Sequence, residues 1–105
     1  MTVNQFKKIC EKCGWKVYVY KEEIELEQYS PAGEDFSFAI DRNADLVEQV
    51  EDYAENFDID EHVEFWVKAK SEGARGVPSI SELVEDAKDI EKMLWDLVNA
   101  LNGLE

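Results

Sequence analysis

The sequence predicts an α+β fold in one domain, a three-stranded antiparallel meander with about four helices packed on one face, in the order αβββααα. Residues 79–101 repeat apolar side chains at steps of three and four, which is the period of one helix face. Residues 15–40 contain three short runs that alternate apolar and polar side chains, separated by turn residues. With 105 residues, of which 45% are hydrophobic, the chain is long enough to form one core.

The first predicted helix spans residues 2–12. Thr2 and Gln5 have the spacing of a capping box, in which each side chain bonds the backbone N–H of the other residue. Gly14 is the expected stop, because glycine readily adopts the left-handed conformation that ends many helices. The side expected to face the core carries Val3, Phe6, Ile9, Cys10 and Cys13.

Three strands are predicted next, over residues 15–20, 23–30 and 35–40. Lys21 and Glu22 form the first predicted turn, and Pro31 and Gly33 mark the second because they occupy positions that such turns favour. Antiparallel strands joined by short turns predict a sheet with one face on the core and the other in water. The expected inward side chains are Trp15, Val17, Val19, Ile24, Leu26, Phe36, Phe38 and Ile40.

Three further helices complete the predicted order, over residues 44–57, 61–70 and 79–101. Asn43 is the predicted cap of the first of them, and Ser79 with Glu82 forms a predicted capping box at the start of the last. Residues 71–78 contain two glycines and a proline, which predicts a loop. The middle helix is expected to turn Val63, Phe65, Trp66 and Val67 inward.

Net charge is the strongest signal in the composition. The chain has 25 acidic and 11 basic side chains, a formal net charge of −14. Such a surface repels nucleic acid and anionic membranes and attracts basic partners, although acidity also keeps many proteins in solution. No apolar run reaches the roughly 18 residues of a membrane span, and the N-terminus lacks the basic and apolar segments of a signal peptide. We therefore expect a cytoplasmic protein that binds neither nucleic acid nor membrane directly.

One stretch has part of the pattern of a calcium loop. Asp41, Asn43, Asp45 and Asp52 occupy suitable positions, but Leu46 stands where such a loop requires glycine for its sharp turn. A helix cap followed by a solvated helix face is therefore the preferred interpretation of this run.

Cys10 and Cys13 form a C-x-x-C pattern. They lie at the predicted C-terminal end of a helix, whereas redox pairs of this type usually lie at a helix N-terminus, which stabilises the thiolate. A zinc site needs about four ligands, and the chain offers only these two cysteines and one histidine. We expect two buried, reduced thiols, no metal and no cofactor.

The only histidine, His62, lies among acidic residues in the sequence. Its surroundings suggest a general base, but the sequence offers neither a suitably spaced nucleophile nor a glycine-rich phosphate loop to support that role. We therefore expect His62 to be a surface side chain. The protein is predicted to have no catalytic residues and not to be an enzyme.

An acidic helix is the most specific functional signal. Residues 41–64 hold ten acidic side chains and one arginine, and on the predicted helix 44–57 the acids fall opposite the apolar side. Like charges at steps of three and four cost a few tenths of a kcal/mol per pair, which favours a functional reason for keeping them; a plain solvated face is the alternative. The predicted partner-binding residues, called the acidic surface below, are Asp45, Glu48, Asp52, Glu55, Asp58, Asp60 and Glu61.

Three runs carry a resemblance to other proteins: residues 30–36 (SPAGEDF), 57–63 (FDIDEHV) and 76–79 (GVPS). They resemble a group of small acidic, uncharacterised proteins carried by phages and mobile elements of gut Firmicutes, and the resemblance covers residues from about 15 to 101. It implies a context rather than a set of functional residues. Small acidic proteins of such elements include antirestriction and anti-CRISPR inhibitors, some of which imitate nucleic acid.

Two functions follow as expectations. The first is a non-enzymatic acidic inhibitor or decoy, anti-CRISPR-like or antirestriction-like, that binds the basic, nucleic-acid-binding surface of a host protein. The second is a generic interaction module or homodimer, whose contact is formed by the outer sheet face or by apolar residues of the last helix. The residues expected to form that second contact are Tyr18, Tyr20, Tyr29, Met93 and Trp95.

Overall fold

The fold is known from a computed structural model that describes residues 1–71 and 80–103. Its helices are α1 (Val3–Lys12), α2 (Leu46–Asn56), α3 (Ile59–Ser71) and α4 (Ile80–Leu101). Its strands are β1 (Lys16–Val19), β2 (Glu23–Tyr29) and β3 (Asp35–Asp41). They form one antiparallel sheet in the order β1-β2-β3. The predicted α+β class and the order αβββααα are confirmed.

The start and end of α1 follow the local sequence. Gln5 N donates to the Thr2 hydroxyl at 3.1 Å and Thr2 N donates to Gln5 Oε1 at 2.9 Å, so the predicted capping box is present. Gly14 has a φ of 91° and ends the helix as expected. Gln28 Nε2 then donates to the Cys13 carbonyl at 3.3 Å, which ties the end of α1 to β2.

The register of the sheet sets which side chains face the core. Leu26 lies between Val17 on β1 and Phe38 on β3, so all three point to the same face. Lys21 and Glu22 form the predicted turn, closed by Tyr20 N donating to the Glu23 carbonyl at 2.8 Å. Most of the predicted inward side chains are buried, but Val19, at the end of edge strand β1, is 37% exposed.

The start of α2 differs from the prediction. The cap is Asp45 rather than Asn43, since the Asp45 carboxylate accepts the Glu48 N–H at 3.0 Å. The Asn43 N–H instead donates to the Asp41 carboxylate at 2.8 Å, which holds the preceding residues in a turn. The helix therefore begins at Leu46, two residues later than expected, and Phe57 follows it as the C-cap.

The start of α3 is also set by an aspartate. Asp58 accepts the Glu61 N–H on its carboxylate at 3.1 Å, so the helix begins at Ile59, two residues earlier than predicted. Val63 is buried as expected, whereas Phe65 is 69% exposed and its predicted inward orientation is wrong. Ser71 belongs to α3 rather than to the predicted loop. The rest of that loop, the Ser79 cap and the Trp66 side chain lie outside the described residues.

The predicted apolar face of the last helix is confirmed in α4. Its regular apolar residues are all buried: Leu83, Ala87, Ile90, Leu94, Leu97 and Leu101. The helix spans 22 residues and runs past both regions of packing. In the described part of the chain, no helix is long and apolar enough to cross a membrane.

The buried apolar residues form two clusters. The main core joins the inner face of the sheet to α1, α2 and the C-terminal half of α4, with Phe6, Ile24 and Leu94 fully buried. The second cluster joins α3 to the N-terminal half of α4 and is centred on Val63, Leu83 and Ala87. Between them, α2 ends and α3 begins.

Candidate functional site

Four members of the acidic surface lie along α2. Asp45, Glu48, Asp52 and Glu55 are all exposed. At about 100° of rotation per residue they occupy an arc of about 80°. Buried Leu46, Val50 and Ala54 point to the main core on the other side of the helix. The structure thus brings these four together in one row, and Asp45 and Glu55 are about 15 Å apart along the axis.

The other three members surround the junction between α2 and α3. Asp58, Asp60 and Glu61 are exposed, but they do not share one side of α3. Asp60 lines a groove with Asp58, Glu55 and Lys88, whereas Glu61 lines a separate cavity with Asp58. Four of the seven predicted residues therefore form one row on α2, and the other three line two separate depressions around the start of α3.

The carboxylates of the acidic surface form no ion pairs in the described part of the chain, although Lys88 lines the groove beside Glu55, Asp58 and Asp60. Within residues 1–71 and 80–103, the ion pairs between side chains are His62–Glu34, Lys88–Glu85 and Lys92–Asp96, and none involves these seven. Asp45 and Asp58 also cap helices, so two of the seven have a structural role. The row on α2 is left as exposed negative charge on a helix that is fixed by the main core.

A cavity of about 270 Å³ opens at the junction of α2 and α3. Three aromatic rings line it, those of Tyr53, Phe57 and Phe65, together with His62. Tyr53 stacks on buried Phe38 with ring centroids 4.4 Å apart, so its ring is held by the main core. The complete lining is Tyr53, Asn56, Phe57, Asp58, Glu61, His62 and Phe65. We call it the junction cavity.

A network of polar side chains, none of them among the predicted site residues, lies beneath this junction. Asp86 on α4 is only 3% exposed. Its carboxylate accepts the Ser30 hydroxyl at 2.9 Å and the Ala32 N–H at 3.3 Å, which fixes the turn between β2 and β3 to α4. The Ser30 hydroxyl also accepts the Glu34 N–H at 3.0 Å. The buried carboxylate is therefore well supplied with donors, as burial of such a group requires.

His62 joins the same network. Its Nε2 lies 3.0 Å from Glu34 Oε1, and its side chain is 17% exposed. The prediction of a surface side chain is therefore wrong, because α3 turns this residue toward β3 and packs its ring beside Phe36, at 5.9 Å, and Phe57, at 5.3 Å. We call Ser30, Glu34, His62 and Asp86 the polar tie.

The chemistry of the polar tie is that of a structural link. Burial raises the pKa of the Glu34 carboxyl above its ordinary value, the hydrogen bond from His62 opposes this, and the nearby Asp86 adds to it. The Ser30 hydroxyl proton is donated to Asp86 and not to the imidazole. In the described part of the fold, no hydroxyl nucleophile is hydrogen-bonded to His62, so the residues of a serine–histidine relay are not assembled there.

The C-x-x-C residues are reduced, as predicted. Cys10 and Cys13 are not joined by a disulfide; Cys10 is buried, and Cys13 is partly buried rather than fully so. Burial, with a smaller contribution from Cys13, raises the pKa of the Cys10 thiol to about 12. The thiol is therefore protonated at neutral pH and behaves as an apolar core residue. Among the residues that the structure describes, no group of three or more acidic, histidine or cysteine side chains is arranged to hold a metal ion.

A signal for the polar tie was present in the sequence. Asp86 lies three residues after Leu83 and four before Ile90, within the apolar stripe of the last helix. An acid at such a position is buried with the stripe and needs hydrogen-bond donors. The spacing does not show where those donors lie. They are the Ala32 N–H and the Ser30 hydroxyl, 54 and 56 residues away in the chain.

Comparison of the chain with protein-family models, curated proteins and solved structures found no match. The resemblance to small acidic phage proteins therefore stays a prediction.

Proposed function

We propose that this protein is a non-enzymatic acidic inhibitor or decoy that binds the basic, nucleic-acid-binding surface of a partner protein in the cytoplasm. The single observation that carries the proposal is the row of exposed carboxylates on α2, Asp45, Glu48, Asp52 and Glu55, with no ion pair to any described basic side chain. An origin in a phage or mobile element, with an anti-CRISPR or antirestriction role, fits the same chemistry.

The geometry of the row supports this reading. Helix neighbours three and four residues apart lie about 5–6 Å from each other along the axis, broadly comparable to the separation of phosphates along one strand of DNA. A rigid display matters because ordering a mobile set of side chains on binding costs free energy. Since α2 is packed through Leu46, Val50 and Ala54, its backbone is already ordered before a partner arrives.

The proposal is tested by capture of a basic nuclease at low and high salt. Binding driven by complementary charge is expected to weaken at least about tenfold between 50 and 500 mM NaCl, because salt screens exposed charges. The triple variant Glu48→Lys, Asp52→Lys, Glu55→Lys is expected to abolish capture. Binding that ignores salt, or that survives the triple variant, would end the proposal.

A matched control separates this row from net charge in general. Glu22→Lys, Glu23→Lys, Asp35→Lys makes the same change in charge at exposed positions on the sheet side of the molecule. We expect this control to lower capture only modestly. Equal loss in the two triple variants would mean that the partner senses overall charge and not the row on α2.

The second candidate is a homodimer formed through the outer sheet face. The observation that favours it is the exposure of three tyrosines in or next to strands β1 and β2, Tyr18 at 40%, Tyr20 at 48% and Tyr29 at 59%. On α4, Trp95 is 38% exposed, whereas Met93 is partly buried against the main core and offers less surface. Size-exclusion chromatography with light scattering separates the two candidates. A stable dimer in the original protein that becomes a monomer in the Tyr20→Asp variant favours the second.

A further inference from the structure

The junction cavity combines two features that single out one class of ligand. Its walls are aromatic, and Phe65 at its rim is 69% exposed, which is high for a large apolar side chain. Its other charged lining groups, apart from His62, are the carboxylates of Asp58 and Glu61. Aromatic faces attract cations and carboxylates neutralise them, while the same carboxylates disfavour an anion.

The cavity is held in shape before any ligand arrives. Tyr53 stacks on Phe38 at an interplanar angle of 16°, and Phe57 meets Phe36 edge to face with centroids 6.0 Å apart. Burial raises the pKa of the Tyr53 phenol, so its ring remains neutral at physiological pH. Two of the three aromatic walls are therefore fixed by the main core, which lowers the ordering cost of binding.

His62 does not cancel the acidic character of the cavity. Its Nε2 is paired with Glu34 at 3.0 Å, so any positive charge on the imidazole is balanced inside the chain. The carboxylates of Asp58 and Glu61 therefore give the lining of the junction cavity a net negative charge. A volume of about 270 Å³ is slightly below the range of about 300–1,000 Å³ of pockets for whole small molecules, which favours a single side chain as occupant.

We infer that the junction cavity receives an arginine side chain of the basic partner, with the guanidinium against the aromatic walls and its N–H groups donating to Asp58 and Glu61. Arginine fits better than lysine because its flat, delocalised cation stacks on rings and donates in a fork. This inference rests on the proposed function: the row on α2 provides long-range attraction, and the cavity provides a specific anchor beside it.

The test uses small probes and nuclear magnetic resonance. N-acetyl-arginine amide is titrated into the whole protein, with N-acetyl-citrulline amide as the uncharged probe of nearly the same shape. We expect saturable shifts for the arginine probe at the side chains and amides lining the cavity, with a Kd of about 1–10 mM, as for a single contact. The citrulline probe is expected to bind at least about fivefold more weakly.

Two variants and one control complete the design. Phe65→Ala and Glu61→Gln each change an exposed side chain of the lining and are expected to weaken the arginine probe by about threefold or more. Glu64→Gln removes an exposed carboxylate of the same helix that does not line the cavity, and it is expected to leave binding unchanged. Shifts that do not saturate, equal shifts with citrulline, or equal effects of all three variants would overturn the inference.

The same variants separate this inference from the proposed function. Capture of the basic nuclease that is lost in the α2 triple variant but is unaffected by Phe65→Ala would refute the cavity and retain the decoy. Saturable arginine binding in a protein that captures no basic nuclease would refute the decoy and retain the cavity. Loss of capture in both variants supports both.

Discussion

The two halves of α4 take part in very different packing. From Ile90 to Leu101 one side of the helix packs against the sheet, α1 and α2, in the main core. Around Leu83 and Ala87 its apolar contacts among the described residues are with α3, in the second cluster, and the polar tie supplements that small contact. The main core is held by non-directional burial and the other region partly by directional hydrogen bonds. The junction cavity lies where the two regions meet, and both mispredicted side chains of α3, His62 and Phe65, line it.

The largest expected difference between the regions is in the cost of removing a leucine. Leu94→Ala, in the main core, is expected to lower the free energy of unfolding by about 3–5 kcal/mol, because Leu94 is fully buried and surrounding side chains fill such a space only in part. Leu83→Ala, in the smaller cluster, is expected to cost about 2–3 kcal/mol. Urea unfolding measures both, and equal losses would contradict the distinction.

The next effect concerns the polar tie. Asp86→Ala leaves the Ser30 hydroxyl and the Ala32 N–H without their acceptor, so we expect a loss of about 1–3 kcal/mol. The matched control is Asp89→Ala, an exposed acid on the same helix, which is expected to change stability by less than about 0.5 kcal/mol. If the two variants unfold at the same urea concentration, Asp86 does not stabilise the turn.

A smaller effect is expected in the pH dependence of stability. Because the pKa of Glu34 is raised in the folded protein, its contribution is fully present below the ordinary carboxyl pKa of about 4.3 and is lost as the pH rises through the raised value. Glu34→Gln removes this titration. The free energy of unfolding of the Glu34→Gln variant, relative to that of the unmodified protein, is therefore expected to increase as the pH rises from about 4 to 7.

Urea unfolding at several pH values measures this change, and Glu64→Gln controls for the loss of one carboxylate from an exposed position. A difference between the Glu34 variant and the unmodified protein that stays constant over the range would show that Glu34 titrates alike in the folded and unfolded states.

The smallest expected effect is on the acidic surface. Glu55→Gln removes one of several like charges on α2, near the negative end of the helix dipole, and is expected to raise stability by a few tenths of a kcal/mol. Thermal unfolding at low and high salt measures it, and the gain should shrink as salt screens the remaining charges. A clear loss of stability would mean that this carboxylate supports the fold and is not merely displayed.

Much of the fold was predictable because it depends on neighbours in the chain. The Thr2–Gln5 capping box, the alternation around Leu26 and the spacing along α4 all concern residues close together in sequence. The caps were less secure, since Asn43 and Asp45 are both suitable and the choice depended on the turn at Asp41. The exposure of Phe65 was also not predictable, because the apolar contact between α3 and α4 is small and leaves this side chain of α3 uncovered.

The sequence by itself determined the α+β fold class, the element order, the apolar side of α4 and the excess of acidic side chains on α2, which has no lysine or arginine. Each of these follows from residue type and periodicity. Only the tertiary structure decided that Asp86 and Ser30 meet, that His62 pairs with Glu34 and that aromatic rings from α2 and α3 enclose a cavity. These contacts join residues 28 to 56 positions apart or rings on separate helices. Local patterns carry no information about such distances; the packing of whole elements sets them.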